Sequence, residues 1–268
     1  MKYLTKEQHQ EYISRGFVLL ESWLTKEEIG HIKAEIPKIY PNSSLGVVLE
    51  SDSHTLRAVH GEKLFTNKIF QRLSRLPRLV QLAKDILDSE IYIHQFKITA
   101  KRAFQGDVWQ WHQDYQYWLE KDGMPTDRAV NIVIFLDEVN EFNGPLMLIP
   151  FSHKEGILKI RKMQSSLGWQ AHITPQLEDT TDSLEIKRLV EKYGIDAPKG
   201  LAGSVLCFHP TSVHGSGVNM SPFDRGLVIL SYNSINNTLR RIENPRPNFL
   251  GNRDFTPLQP LECDILVE

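Results

Sequence analysis

The strongest constraint on the fold is a series of short apolar segments, each bounded by turn residues. The segments are Ile91–Ala100, Ala129–Leu136, Leu146–Ile149, Ser204–His209 and Gly226–Tyr232. Each has the length of a strand, and turn signals such as Asn143-Gly144-Pro145 separate them. No helices alternate regularly with these strands, so they cannot build a parallel sheet. The pattern predicts a mainly β fold that closes as a sandwich or barrel.

Helices are predicted to flank this core on its N-terminal side. Thr5 with Gln8, and Thr25 with Glu28, have the spacing of capping boxes, in which two side chains close the first turn of a helix. Two helices are therefore expected to begin at these positions. Gly16 suits a left-handed helix cap.

Two further elements complete the predicted N-terminal part. The run Phe17–Leu20 is too short and too apolar to be anything but a buried strand. Apolar residues at helical spacing between Leu64 and Leu87 are interrupted by Pro77, which predicts two short helices.

The expected organisation is one domain over residues 1–268, with a helical flank at 1–90 and a β core at 91–250. The polar, charged stretch 161–199 interrupts the core and contains one helical pattern, Leu184–Lys192. Because long connections in compact domains often cover a site, this insertion is predicted to be a lid.

Composition narrows the possible partners. Lys and Arg total 31 against 33 Asp and Glu, and no long block carries a single sign, which argues against nucleic acid and anionic membranes as partners. The polar N-terminus and the absence of a long apolar run predict a cytoplasmic protein, monomeric or homodimeric, that acts on a small molecule. Cys207 and Cys263 are expected to be free thiols.

The residues that carry chemistry begin with His112-Gln113-Asp114. In an extended segment, residues i and i+2 point to the same face, so His112 and Asp114 can reach one metal ion while Gln113 faces away. Alone the pair is weak evidence, because a chain with ten histidines contains such a pair often by chance.

A second element strengthens the interpretation. His214 precedes Gly215-Ser216, and Arg225 follows eleven residues after His214 at the start of an apolar run. The turn signal Ser221-Pro222 predicts a hairpin that folds Arg225 back beside His214.

Two histidines and one carboxylate form the ligand set of non-haem Fe(II) oxygenases, which leaves three positions open. A 2-oxo acid fills two of these positions, and its distal carboxylate fits a guanidinium, here Arg225, helped by the Ser216 hydroxyl. A zinc hydrolase uses similar ligands but gives Arg225 no role.

These motifs resemble the phytanoyl-CoA dioxygenase family, whose pattern is His-x-Asp, a distal His followed by Gly-Ser, and an Arg eleven residues later. The resemblance also covers Leu4-Thr5, Gly16–Leu19, Asn143–Pro150 and Ser152-His153. It implies a double-stranded β-helix of the jelly-roll, cupin-like type, with Fe(II), 2-oxoglutarate and O2. It also implies that 2-oxoglutarate becomes succinate and CO2 while an unactivated C–H bond is hydroxylated.

Within the family, the segment 111–125 is similar to the ectoine hydroxylase signature W-H-S-D-F-E-T-W-H-x-E-D-G-M-P. Its Ser, Glu, Thr and second His are replaced here by Gln113, Gln116, Tyr117 and Leu119. The chain equally resembles a branch that acts on free amino acids, including leucine hydroxylases. A leucine-like L-amino acid is the predicted substrate; ectoine and, less well, an acyl-CoA remain alternatives, as does a non-catalytic metal-binding barrel.

Further site residues are predicted from their positions. Because Asp114 fills the place that a halide would need, hydroxylation is favoured over halogenation. Thr99 and Trp109 are assigned to the cosubstrate, whereas Lys97 is as readily a residue of a solvated face. Three residues are assigned to the substrate: Trp118, Asn131 in a strand expected to face the interior, and Arg246 between two prolines as a grip for a carboxylate.

Overall fold

A computed structural model describes residues 3–39, 46–52, 54–161, 173–174 and 180–267. The helices are α1 Lys6–Arg15, α2 Lys26–Ile39, α3 Glu62–Thr66, α4 Lys68–Ser74, α5 Pro77–Leu87, α6 Asp114–Tyr117 and α7 Ser183–Tyr193. The strands are β1 Phe17–Leu20, β2 Val47–Leu49, β3 Leu56–His60, β4 Ile91–Lys101, β5 Trp109–His112, β6 Ala129–Phe135, β7 Leu146–Leu148, β8 Ile160–Arg161, β9 Thr180–Thr181, β10 Val205–Phe208, β11 His214–Ser216 and β12 Arg225–Ser234.

The strands form two sheets that face each other, and a small separate pair. The large sheet has the order β1-β10-β6-β12-β4-β3-β2, the small sheet has the order β5-β11-β7, and β8 pairs with β9. Leu148 of the small sheet packs against Phe135, Leu206 and Leu227 of the large sheet. The mainly β architecture with flanking helices is as predicted.

The large sheet separates two layers because successive side chains on a strand point to opposite faces. On β6, Val133 and Phe135 face the small sheet, whereas Ile132 and Ile134 belong to the main core together with residues of the helices. Helix α5 buries Leu79 and other apolar residues in this core. The helices therefore cover the outer face of the large sheet and leave its inner face for the site.

The predicted helix starts are confirmed. The Thr5 hydroxyl accepts from the backbone N–H of Gln8 and the Gln8 side chain accepts from that of Thr5, which closes the capping box of α1. Thr25 and Glu28 make the same reciprocal pair at α2. Gly16 ends α1 with φ 86°, a left-handed conformation that favours glycine.

Two expectations for the N-terminal part need correction. The stretch Leu64–Leu87 belongs to three helices rather than two, and Pro77 begins α5 because the first turn of a helix needs no N–H from that residue. The flank at 1–90 also supplies β2 and β3 to the large sheet. The pattern hid β3 because Arg57 and His60 interrupt its apolar run.

Part of the predicted lid lies outside the described residues, namely 162–172 and 175–179. Its predicted helix is present as α7, where Leu189 packs against Ile149, Leu158 and Val213. Ile173 is buried beside the inner face of the large sheet. The closing motion of this segment stays a prediction.

Cys207 is buried, Cys263 is exposed, and both are free. Among the described residues no helix combines the length and apolar character needed to cross a membrane.

Candidate metal and cosubstrate site

The His-x-Asp pair lies where β5 passes into α6. Gln113 is extended, with φ −116° and ψ 126°, so His112 and Asp114 project to the same side. The Gln113 side chain faces away and donates to the carbonyls of Gly156 and Thr211. The predicted local geometry is therefore confirmed, and Gln113 fixes the motif to neighbouring loops.

His214 completes the cluster from the adjacent strand. It lies opposite His112 in the antiparallel pairing of β11 with β5. Oδ1 of Asp114 is 3.6 Å from Nε2 of His112, and Oδ2 is 3.8 Å from Nε2 of His214. One ligand atom from each residue lies within 4.8 Å of the others, so the three side chains converge on one point.

The orientation of both rings suits a metal ion. Nδ1 of His112 is 2.6 Å from the carbonyl of Gln110, and Nδ1 of His214 is 3.0 Å from that of Ser212. A carbonyl only accepts, so each Nδ1 carries the proton and each Nε2 lone pair points to the common centre. Two imidazoles and one carboxylate fit Fe(II) with positions left for other ligands.

The charge state of the cluster also favours a cation. Burial acts to raise the pKa of Asp114, but Lys97 and the two imidazoles outweigh it and keep the pKa below its ordinary value. Burial and the neighbouring His112 lower the pKa of His214 to about 3, so that ring is neutral. A carboxylate with neutral imidazoles is the protonation state in which these residues bind metal.

Arg225 lies near the cluster, but the predicted hairpin is not what brings it there. Strands β11 and β12 belong to different sheets, because the chain crosses from the small sheet to the large one between them. Arg225 begins β12 and its Nη2 donates to the Ser216 hydroxyl across the gap at 3.3 Å. Arg225 is 2% exposed, and its Nε has no hydrogen-bond partner among the described residues.

A cavity extends from Arg225 past the three metal ligands. Its lining comprises His60, Gln95, Lys97, Thr99, Trp109, His112, Asp114, Tyr117, Trp118, Leu146, Ile173, His214, Ser216, Arg225, Leu227, Ile229, Arg246 and Leu250. Gln95, Lys97 and Thr99 alternate along β4 and therefore share the face turned to the cavity. The site thus lies between the two sheets.

Comparison with known proteins agrees with this geometry. The family model for phytanoyl-CoA dioxygenase (PhyH) matches residues 12–227. The chain belongs to the phytanoyl-CoA dioxygenase family. Its similar relatives include the L-proline trans-4-hydroxylase of Streptomyces griseoviridis, 37% identical over 94% of both chains, and the ectoine dioxygenase of Bordetella bronchiseptica, 34% identical over 99% of this chain and 88% of that protein.

Solved structures extend the agreement to the fold. The crystal structure of EctD from S. alaskensis with 2-oxoglutarate and 5-hydroxyectoine superposes with a TM-score of 0.83, at 28% identity, over 96% of this chain and 87% of that chain. EctD with bound Fe superposes with a TM-score of 0.80. The cupin-like, double-stranded β-helix is confirmed. This family member is a non-haem Fe(II)/2-oxoglutarate-dependent dioxygenase, which uses O2.

The structure brings together most residues that the sequence singled out. Thr99, Trp109, Trp118 and Arg246 all line the cavity. Asn131 does not line it: the side chain is fully buried behind Asp114 and donates to Oδ2 of that carboxylate at 2.8 Å. Its geometry fits the positioning of a metal ligand.

Arg246 forms a bidentate ion pair with Asp122. Its Nε and Nη2 donate to the two carboxylate oxygens of Asp122 at 2.9 and 2.6 Å, in a pair that is almost fully buried. His94 lies 3.2 Å from the same carboxylate. Burial acts to raise the pKa of Asp122, but Arg246 and His94 outweigh it and lower that pKa. Asp122 thereby fixes the fork of Arg246 beside the cavity.

Sequence reasoning missed several lining residues. The sequence alone did not distinguish a site role for Lys97 from a place on a solvated face. Its i, i+2 spacing to Thr99 nevertheless puts both residues on one face of β4. Gln95 follows from the same spacing. His60 and Tyr117 had no such signal, because they lie on elements whose orientation depends on the packing of the two sheets.

Proposed function

We propose that this dioxygenase hydroxylates an unactivated C–H bond of a small free amino acid, with a leucine-like aliphatic L-amino acid as the first candidate. The observation that carries the proposal is the arrangement of charges in the cavity. Three cationic side chains line it. Arg225 lies at one end, and Lys97 and the Asp122-paired Arg246 lie towards the other, as the strand register and the hydrogen bond between Gln95 and Leu250 indicate. Such an arrangement suits two carboxylates, one from each of two small molecules.

The order of residues along β4 separates the two ends. Lys101 pairs with Arg225, Thr99 with Leu227, Lys97 with Ile229 and Gln95 with Ser231. At about 3.3 Å per residue, Gln95 and the Arg225 position lie roughly 20 Å apart along the strand. Gln95 donates to the carbonyl of Leu250, which places the segment after Arg246 at the Gln95 end.

The cosubstrate end is defined by Arg225. Its buried fork offers parallel charge-assisted hydrogen bonds to the distal carboxylate of 2-oxoglutarate, with Ser216 beside it. Burial lowers the pKa of Arg225 to about 9, so the guanidinium stays charged at neutral pH. Binding of an anion compensates the cost of burying that charge. Trp109 and Thr99 form the adjoining walls.

The substrate end combines cations with apolar walls. Ile229, Leu250 and Ile173 offer an aliphatic surface, and Trp118 closes one side. An amino acid bound by its carboxylate at Arg246 and Lys97 would direct its aliphatic part along this surface towards the metal ligands. These contacts also keep water from the reacting carbon.

Iron, when bound by His112, Asp114 and His214, supplies the oxidative decarboxylation of 2-oxoglutarate and the transfer of one oxygen atom to the substrate. The chain's own residues bind and orient both molecules. Neutral imidazoles and an ionised carboxylate hold the metal, Arg225 fixes the keto acid, and the apolar walls position one carbon.

L-Proline is the second candidate, favoured by the proline hydroxylase relative that matches 94% of the chain. A cyclic substrate such as ectoine is the third. Among the departures from the ectoine signature, Tyr117 lines the cavity, whereas Gln113 bonds to backbone groups away from it. A tyrosine in place of threonine takes up volume at the substrate, which favours a substrate other than ectoine.

The test is a panel assay. Purified enzyme with Fe(II), 2-oxoglutarate and O2 is given L-leucine, L-isoleucine, L-proline or ectoine, and both succinate and the mass of the amino acid are measured. We expect succinate release matched one to one by the gain of one oxygen atom on one of the amino acids. Succinate without any hydroxylated amino acid across the panel would contradict the proposal.

A further inference from the structure

His60 is a buried polar residue at the substrate end of the cavity. It is the last residue of β3 and lies opposite Lys97 in the antiparallel pairing with β4. Directly opposite residues have neighbouring side chains on one face of the sheet. His60 lines the cavity and is 3% exposed, so it faces the substrate space and not bulk solvent.

Neither ring nitrogen of His60 has a hydrogen-bond partner among the described residues. Leaving a buried donor or acceptor unsatisfied costs about 1–3 kcal/mol, so native proteins rarely do so without a reason. The histidines of the metal cluster differ in this respect, since the Nδ1 of each is held by a backbone carbonyl. A ligand in the cavity would supply the missing partner for His60.

The charge around His60 defines what that ligand group can be. Burial, with the positive charges of Lys97 and Arg246, lowers the pKa of His60 to about 3. The ring is therefore neutral at physiological pH and offers one N–H donor and one lone pair. Lys97 and Arg246 only donate, so they suit a carboxylate, whereas an amino group needs an acceptor.

We propose that His60 accepts a hydrogen bond from the amino group of the bound amino acid and selects substrates that carry a free amino group. The inference rests on the proposed function. The carboxylate lies between the cations Lys97 and Arg246, and the amino group turns to the imidazole and to the amide oxygen of Gln95. His60 is thus a specificity-determining residue of the substrate end.

The experiment compares each substrate with a counterpart that lacks the amine. L-Leucine is paired with 4-methylpentanoate, and L-proline with cyclopentanecarboxylate, in wild type, His60→Phe and His60→Asn. In wild type we expect kcat/KM to favour the amine-bearing member. In His60→Phe that preference falls by about ten- to hundredfold, the worth of a hydrogen bond to a charged group, and His60→Asn retains part of it because its amide oxygen accepts.

Two readouts separate this role from a structural one. The KM for 2-oxoglutarate stays within about twofold in His60→Phe, whereas the control Ser216→Ala raises that KM and leaves the amine preference unchanged. The melting temperature of His60→Phe is equal to or above that of wild type, because an unsatisfied buried ring is removed. If the larger Phe prevents folding, the same measurements are made on His60→Leu.

The outcomes are distinguishable from failure of the proposed function. If wild type hydroxylates no amino acid of the panel, the proposed function is rejected. If wild type hydroxylates one of them and the apolar His60 variants keep the full preference for the amine, the role of His60 is overturned while the proposed function stands.

Discussion

The amide of Asn131 donates a hydrogen bond to Oδ2 of Asp114 at 2.8 Å, from a position fully buried in β6. Ser231 on the neighbouring strand donates to the amide oxygen of Asn131, so the amide is held from both sides. This chain of contacts fixes the carboxylate of the metal cluster from behind. Such outer contacts orient the ligands of a metal site and contribute to its affinity.

Replacing Asn131 with Ala should therefore weaken Fe(II) binding by about ten- to hundredfold, because Asp114 loses the donor that orients it. Anaerobic titration of the metal-free protein with Fe(II) measures the affinity. Ser231→Ala, which releases only the far side of the amide, is the control and should give a smaller loss. An unchanged affinity in Asn131→Ala would show that the bond has no role in holding the metal.

Arg246→Ala should raise the KM for the amino-acid substrate at least tenfold and leave the KM for 2-oxoglutarate nearly unchanged. The same variant should lower the free energy of unfolding by about 3–5 kcal/mol, because the buried carboxylate of Asp122 loses its partner. Kinetics and denaturant unfolding measure the two effects.

Asp122→Asn is the matched control, since it removes the charge pair and keeps Arg246. It should restore most of the stability when combined with Arg246→Ala, because no buried charge is then left alone. Equal increases in both KM values in Arg246→Ala would refute a specific role at the substrate.

The sequence located the metal ligands because two regular patterns determine them. The i, i+2 spacing of His112 and Asp114 holds wherever the backbone is extended, and Gln113 is extended here. The offset between His214 and Arg225 was informative as well, although the predicted route was wrong. Adjacent strands in sequence need not share a sheet, and only the packing of the two sheets shows that Arg225 reaches Ser216 across the gap.

Contacts between distant parts of the chain had no sequence signal. Asp122 and Arg246 are separated by 124 positions and meet only because the C-terminal segment returns to the turn after α6. Asn131 was recognised as a polar residue in a buried strand, but its partner depends on how β6 lies behind the metal cluster. Local patterns predict the faces of strands; they do not predict which loops close over them.

Acid should destabilise the metal-free protein through its buried neutral histidines. Burial lowers the pKa of His60 to about 3 and that of His209 to about 4, against an ordinary value of 6.5. Below pH 6.5 these histidines therefore bind protons in the unfolded chain but stay neutral in the folded chain. The contribution of these histidines to the free energy of unfolding is fully present above pH 6.5 and is lost progressively as the pH drops towards 4.

Each such histidine contributes roughly a tenfold change in the unfolding equilibrium constant per pH unit within this window. Denaturant unfolding of the metal-free protein between pH 7 and pH 4.5 measures how the free energy of unfolding depends on pH. In His60→Phe this slope should correspond to the uptake of one proton fewer on unfolding. Identical slopes in the two proteins would mean that His60 is charged, or solvated, in the folded state.

Tyr117 provides a test of the substrate size. Tyr117→Thr restores the residue of the ectoine hydroxylase signature and enlarges the cavity, so kcat/KM for ectoine relative to L-leucine and L-proline should rise about tenfold. Leu119→His, which restores a signature residue that does not line the cavity, is the comparison and should change this ratio much less. A ratio unaffected by Tyr117→Thr would remove Tyr117 from the residues that select the substrate.

The most direct test of the central claim is calorimetric binding of 2-oxoglutarate without O2, in the presence and absence of Fe(II). If His112, Asp114 and His214 hold the iron and Arg225 anchors the keto acid beside it, wild type should bind one 2-oxoglutarate per chain tightly only with the metal. Arg225→Lys should weaken that binding about ten- to hundredfold, because an ammonium cannot make the two parallel hydrogen bonds. Asp114→Ala should lose the metal dependence. Equal binding of 2-oxoglutarate with and without Fe(II), or full affinity in Arg225→Lys, would contradict the account.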